Sequence, residues 1–312
     1  MKKLVLSLIF KLLIVNVLSS QKSLFVNSDT FNKKRFNSIL ITGAVGYTGA
    51  VLALNSVWYS AYPQGQFHLF DDNGEWENMD KYGHVLSAYV EAKWAYTAFR
   101  WAGVKSRRAA WLGMATGTLF QTTLEVMDGF STQWGFSLGD VVANTSGCAL
   151  FGLQQATWGE QRILLKVSNT PNNYPSDIRD PTGQYKSVKD LASNLYGNNY
   201  AQTFFKDYNA INWWLSVNPR SFAKNSKFPT WLNIAFGHSA ENVFGAYGNI
   251  TPAEYLPRYR QYFLSIDIDL TKIKTKNKFL KSCLSTLNFI KIPAPTLEYN
   301  SLGQWKFHPI MF

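Results

Sequence analysis

Three stretches of this 312-residue chain carry polar side chains at helical spacing inside otherwise apolar surroundings. Asp80 and His84 are four residues apart, so a helix places them on one face together with Ser87 and Glu91, with Lys81 beside them. Gln121, Glu125 and Asp128 form a second stripe, and Asp140 and Asn144, followed by Gly147, a third. Charged groups in an apolar bundle pair with one another, bind a cation or shift their pKa. If the stripes converge, one histidine, several carboxylates and an amide line a single polar cleft. Such a cleft has catalytic candidates in His84, Glu125 and Asp140: His84 as general base, with a carboxylate orienting it or holding a metal. Its binding candidates are Asp80, Lys81, Asp128 and Asn144. Each residue also has a plainer reading. Asp80 serves as a helix cap, Asp140 as the third residue of a capping box opened by Ser137, Asp128-Gly129 as a helix end, and His84 with Glu125 as a packing hydrogen bond.

The order Asp80-Lys81-Tyr82-Gly83-His84, then Glu125-Val126-Met127-Asp128-Gly129, then Ser137-Leu138-Gly139-Asp140 with Asn144 and Gly147, resembles the YfiM-type periplasmic lipoprotein family. It is distantly similar to VanZ-like membrane proteins, whose association with glycopeptide resistance points to envelope chemistry. The resemblance covers Asp80–Gly152 and implies Asp80, Lys81, His84, Glu125, Asp128, Asp140 and Asn144 as the positions of a site, without implying a reaction. The chain as a whole resembles larger exported members from Bacteroidetes-type bacteria. It departs from the lipoprotein pattern, because no lipid-accepting cysteine stands near the N-terminal apolar run.

The elements that would position these residues follow from patterning. Met1-Lys2-Lys3, the apolar run Leu4 to Leu18 and Ser19-Ser20 read as a secretory signal peptide over residues 1–20. Residues 21–37 read as a polar, basic linker. From Ser38 to Ser60 no charge occurs, and Gly43, Gly46 and Gly49 allow close helix approach in a bundle or a membrane. Helices are expected over 80–101, 105–127 (with Gly113 and Gly117 as a small-residue pair) and 137–158, completing a compact, membrane-associated four-helix bundle over residues 38–160. Residues 161–312 read as a smaller β-containing region, so the fold class is α+β. Within it Tyr262, Leu264, Ile266, Ile268 and Leu270 alternate with Ser265, Asp267, Asp269 and Thr271, which predicts a strand with one wetted face. Trp213-Trp214 with Tyr208 reads as core, or else as an interfacial aromatic belt. The strand candidates are too few for a complete outer-membrane barrel, despite a terminal Phe312, and a small sheet beside the helices is expected.

The formal charge of +11 divides unevenly: +6 over residues 1–37, −4 over 38–160 and +9 over 161–312. No basic recognition helix is visible, so nucleic acid is not an expected partner. The run Lys272, Lys274, Lys276, Lys278 and Lys281 reads as a solvated loop or an attraction to anionic headgroups. Cys148 and Cys283 read as buried free thiols. The glycines at 43–49 lack the Lys-Ser/Thr of a phosphate loop, Gly237-His238-Ser239 lacks the second glycine of a nucleophile elbow, and four histidines are too few for a zinc site. No cofactor or metal is expected. The chain thus reads as an exported protein of the periplasm or outer membrane of a Gram-negative bacterium. Its leading role is structural or lipid/glycan-headgroup binding. The alternatives are an envelope hydrolase or transferase using His84 with Glu125 or Asp140, and a scaffold subunit of an outer-membrane complex.

Overall fold

The computed structural model describes residues 26–312 apart from 58, 60–62 and 224. The expected signal peptide lies outside the described residues, as does the first part of the linker. The architecture is α+β, helices first and an antiparallel sheet after them. Helix α1 runs over Lys33–Val57, α2 over Met79–Trp101, α3 over Ser106–Gly129 and α4 over Leu138–Thr157. The last five residues of the expected linker are therefore helical. Asn32 starts that helix by accepting the Arg35 amide on its side chain, and the preceding backbone is pinned to the end of α2 by Ser28 N to Trp101 O and Asn32 N to Ala102 O.

Helices α2, α3 and α4 pack against one another around Ala88, Tyr89, Ala92, Cys148 and Phe151. A Cβ at Gly117 would press on Cys148 Sγ and the Ala88 carbonyl oxygen, and one at Gly147 would clash with the Val85 carbonyl. These glycines let the backbones approach closely enough for short polar side chains to meet across the bundle. Helix α1 lies more loosely against the other three, anchored by Phe36 and Ile39 on Phe99 and by Tyr47 Oη against Thr123 Oγ1 at 2.5 Å. Among the described residues, α1 alone is long and apolar enough to cross a membrane.

The sheet is a six-stranded up-and-down meander, β1 (Ile163–Asn169), β2 (Ile211–Val217), β3 (Leu232–Glu241), β4 (Tyr259–Ile268), β5 (Ala294–Asn300) and β6 (Trp305–Met311). Two short helices, α5 (Val188–Tyr196) and α6 (Tyr200–Lys206), fall between β1 and β2, and α7 (Lys278–Leu287) falls between β4 and β5. The pleat is inverted relative to the expected wetted face. Along β4, Gln261, Ser265 and Asp267 are buried while Tyr262, Leu264 and Ile266 are exposed; along β5, Thr296 and Glu298 are buried while Leu297 and Tyr299 are exposed. The polar residues face inward because the sheet curls on itself and supplies them with partners. Lys166 Nζ meets Asp267 Oδ2 at 2.7 Å, His308 Nε2 meets Glu298 Oε2 at 2.5 Å, and Gln261 donates to Glu298 Oε1. The curl brings the end of β6 to the end of β1, where Thr170 Oγ1 donates to the Phe312 carbonyl at 2.6 Å.

Strand register arranges the outward side chains in rows. One row reads Trp213, His238, Tyr262, Tyr299, Trp305, and the next reads Leu215, Phe236, Leu264, Leu297, Phe307. The Trp213-Trp214 pair is divided between the two faces, yet both pack against other residues: Trp214 stacks on Phe263 inside the curl, while Trp213 lies on the other face against Met79 and Gly83 of α2, with its indole nitrogen buried. Cys148 is buried and free as expected; Cys283 is free but only half-buried.

Candidate functional site

The cleft sits where the loop before α2, the first turns of α2 and α4, and the last turns of α3 come together. Ser137 caps α4 by accepting the Asp140 amide on Oγ, so the N-cap half of the expected capping box forms without the reciprocal carboxylate bond. The Asp140 carboxylate is not spent on that cap. It accepts Lys81 Nζ at 2.7 Å and lies 3.5 Å from His84 Nε2, while Asp80, one turn before His84, places Oδ2 3.6 Å from the same nitrogen. On the other side of the ring, Nδ1 donates to Asn144 Oδ1 at 3.1 Å, and Asn144 Nδ2 donates in turn to Glu125 Oε1 at 3.3 Å. This amide relay leaves Nε2 aimed between two aspartates. The cleft encloses about 330 Å³, with Asp72, Glu75, Asp80, His84, Asp128 and Asp140 as its ionisable lining. Its walls are Leu54, Tyr59, Phe70, Trp76, Trp134 and Tyr208.

Burial and mutual charge set the electrostatics. Burial alone would lower the His84 imidazole, but Asp80, Asp140 and Glu125 outweigh it and hold the ring above its ordinary value. Burial works against Lys81 in the same way, and Asp140 and Asp72 overcome it, so the ammonium is held strongly charged. Glu125 is pushed up to about 8, chiefly by burial and then by the Asp140 charge. It is 1% exposed, and its second oxygen has no hydrogen-bond partner. Burial also raises Asp128 to about 6, although Tyr59 donates to it at 2.8 Å. The cleft thus favours the charged forms of Lys81, His84 and Asp72, and keeps Glu125 neutral at pH 7.

All seven site residues drawn from the sequence come to this region, though not equally. Asp80, Lys81, His84, Asp140, Asn144 and Glu125 form one connected cluster, and Asp128 sits further along the wall on Tyr59. Glu91 and Gln121 form a separate hydrogen bond of 2.9 Å deeper in the bundle, and Ser87 is exposed outside the cleft. Sequence reasoning missed Asp72, Tyr59 and Tyr208. Asp72 accepts Ser137 Oγ at 2.6 Å and Lys81 Nζ at 2.5 Å, and Tyr208 donates to Asp80 Oδ1 at 3.1 Å. Asp72 was visible only as one acid in a turn-rich loop. Tyr208 comes from the far side of the chain, where no helical spacing relates it to the site. The loop itself is held in place by a left-handed run at Trp76, Glu77 and Asn78. Asn78 Oδ1 accepts the Gly74 amide there, and Glu77 accepts Arg260 at 3.0 Å.

Asp80, His84 and Asp140 offer three ligand atoms within 4.8 Å of one another, a set that could hold a divalent cation. The Lys81 ammonium already neutralises one of those carboxylates, so an ion would have to displace it. What the arrangement can do without an ion is bind a cationic group among acids and aromatic rings, or take a proton on Nε2.

Residues 68–156 match the family model described as predicted periplasmic lipoprotein (DUF2279). The matched stretch contains the loop and the three helices that build the cleft, and it supports an exported, periplasmic protein of undefined activity. No curated protein and no solved structure matches the chain.

Proposed function

We propose that the protein binds an ammonium-bearing headgroup of an envelope lipid or glycan in the His84 cleft. The observation that carries this reading is the lining. Asp80 is one-third exposed and Glu75 and Asp128 stand near it, while Trp76, Trp134, Tyr59 and Tyr208 supply ring faces and hydroxyls. Carboxylates beside aromatic faces favour a cation, by charge and by attraction to the ring quadrupole. The apolar wall of Leu54 and Phe70 suits the alkyl part of an amphiphile. Calorimetric titration with glycerophosphoethanolamine, glucosamine and glycerophosphoglycerol tests it. The two amines are expected to bind and to lose at least about tenfold in affinity in Asp80→Asn. A preference for the uncharged glycerol headgroup, or equal binding by the variant, overturns it.

A second reading has its own support in the amide relay. With Nδ1 committed to Asn144, a deprotonated Nε2 presents its lone pair to the cleft as a general base for hydrolysis or group transfer. Folded His84→Ala and Glu125→Gln variants that restore a deletion strain fully would remove this reading and leave headgroup binding standing.

A further inference from the structure

We propose that the outward face of the six-stranded sheet is a lipid-facing surface, seated in the hydrocarbon of an anionic bilayer. The proposal goes beyond the cleft and rests on different residues.

The first support is the inversion of the pleat. A sheet in water turns its apolar rows inward; here four adjacent strands turn Leu215, Phe236, Leu264 and Leu297 outward, and the inward positions carry Ser216, Ser265, Asp267 and Glu298. Apolar-out and polar-in alternation is the pattern of strands whose solvent is lipid. The second support is how the face ends. Towards the β5–β6 turn the apolar rows give way to the exposed rings of Tyr262, Tyr299 and Trp305, which suit a membrane interface. At the opposite end β4 runs into the exposed lysines 272, 274 and 276, and α7 follows with Lys278 and Lys281 beside exposed Phe279 and Leu280. That end is basic and amphipathic, which complements anionic headgroups. The distance between the two ends also fits. From Tyr262 to Ile268 is six residues of strand, about 20 Å, close to the apolar band of about 25 Å on membrane-spanning barrels.

Lipid contact demands that edge hydrogen bonds be satisfied. The β1 edge is partly covered by the segment before β5, through Val167 N to Phe289 O and Lys291 N to Val167 O. The curl also gives the Phe312 carbonyl to Thr170 and Asn212. Helix α1 presents its own exposed apolar residues, Leu40, Ile41, Val45 and Leu52, so the sheet is not the molecule's sole apolar surface.

The test uses the full chain with an environment-sensitive fluorophore at Leu264→Cys, Leu297→Cys or Ser301→Cys, each in a Cys283→Ser background. The labelled proteins are mixed with phosphatidylcholine vesicles containing phosphatidylglycerol. At 264 and 297, lipid addition is expected to shift emission to the blue, to protect the label from iodide, and to expose it to nitroxide-bearing lipids several-fold more than at 301. A label at 264 that stays open to iodide on vesicles overturns the proposal. So does equal protection without lipid, the result expected if a second copy covers the face. Lys274→Gln/Lys276→Gln/Lys281→Gln should weaken vesicle binding by about tenfold or more, and unchanged binding overturns the assigned orientation. Repeating the measurement in Asp140→Asn keeps this result separate from cleft binding, because the sheet readout should be unchanged there.

Discussion

Both halves of the molecule bury charge, and they do so differently. Inside the sheet, Lys166 and Asp267 are fully enclosed and fully partnered. The lysine also donates to the Ile268 carbonyl, and Asp267 takes Ser216 Oγ on one oxygen and the Ile292 amide on the other. In the bundle, the His84 cluster has more acids than cations, an acid with an orphaned oxygen, and an aspartate open to a cleft. A sealed, saturated pair stabilises one packing. An unsaturated, partly open cluster keeps binding capacity in reserve, and that difference is why the proposed headgroup site is placed in the bundle.

The contrast is broken most severely at the sealed pair. Asp267→Ala leaves an unpaired buried ammonium and should cost about 3–5 kcal/mol in denaturant unfolding, with no effect on cleft binding. Replacing both partners, Lys166→Met with Asp267→Leu, should recover most of that loss. In the open cluster the balance reverses. Asp140→Ala should cost about 1–3 kcal/mol, since Asp72 still holds Lys81, yet weaken amine binding more than any sheet substitution does. Tyr208→Phe removes the hydrogen bond that Tyr208 of the C-terminal region sends to Asp80; about 1 kcal/mol and a few-fold weaker binding are expected in the same assays. The smallest effect is a slope. Glu125 and Asp128 have folded pKa values above their unfolded ones, as does His84, so the folded state holds more protons than the unfolded one. Stability should therefore fall as pH rises from about 5 to 8. Thermal unfolding across that range should show the decline, and Glu125→Gln should flatten it.

Much of the bundle was legible because its signals are local. Four-residue spacing aligned Asp80 with His84 and Asp140 with Asn144, and Ser137 announced the start of α4. What local signals could not supply was partnership across the chain. Tyr208 reaches Asp80 over more than a hundred positions, and Asp72 is an unremarkable loop acid until Lys81 meets it. The sheet posed the converse problem. Alternation in Tyr262–Thr271 identified a strand but carries no sign, since period two looks the same whichever face is wet. Only the partners of Asp267 and Glu298, which come from β1 and β2 for the one and from β4 and β6 for the other, decide that the polar side is the inner one.

Asn144 has one more consequence. A carboxamide flanked by two titrating groups does not ordinarily pass a proton along; it can only report, through which end donates and which accepts, what its neighbours are doing. With His84 on its oxygen and Glu125 on its nitrogen, Asn144 takes the hydrogen bond that the imidazole would otherwise give to Glu125 Oε1, which lies 3.6 Å from Nδ1. The buried carboxyl therefore acts on the imidazole through its field, while Nε2, the nitrogen turned towards Asp80 and Asp140, is the one left to exchange a proton with the cleft.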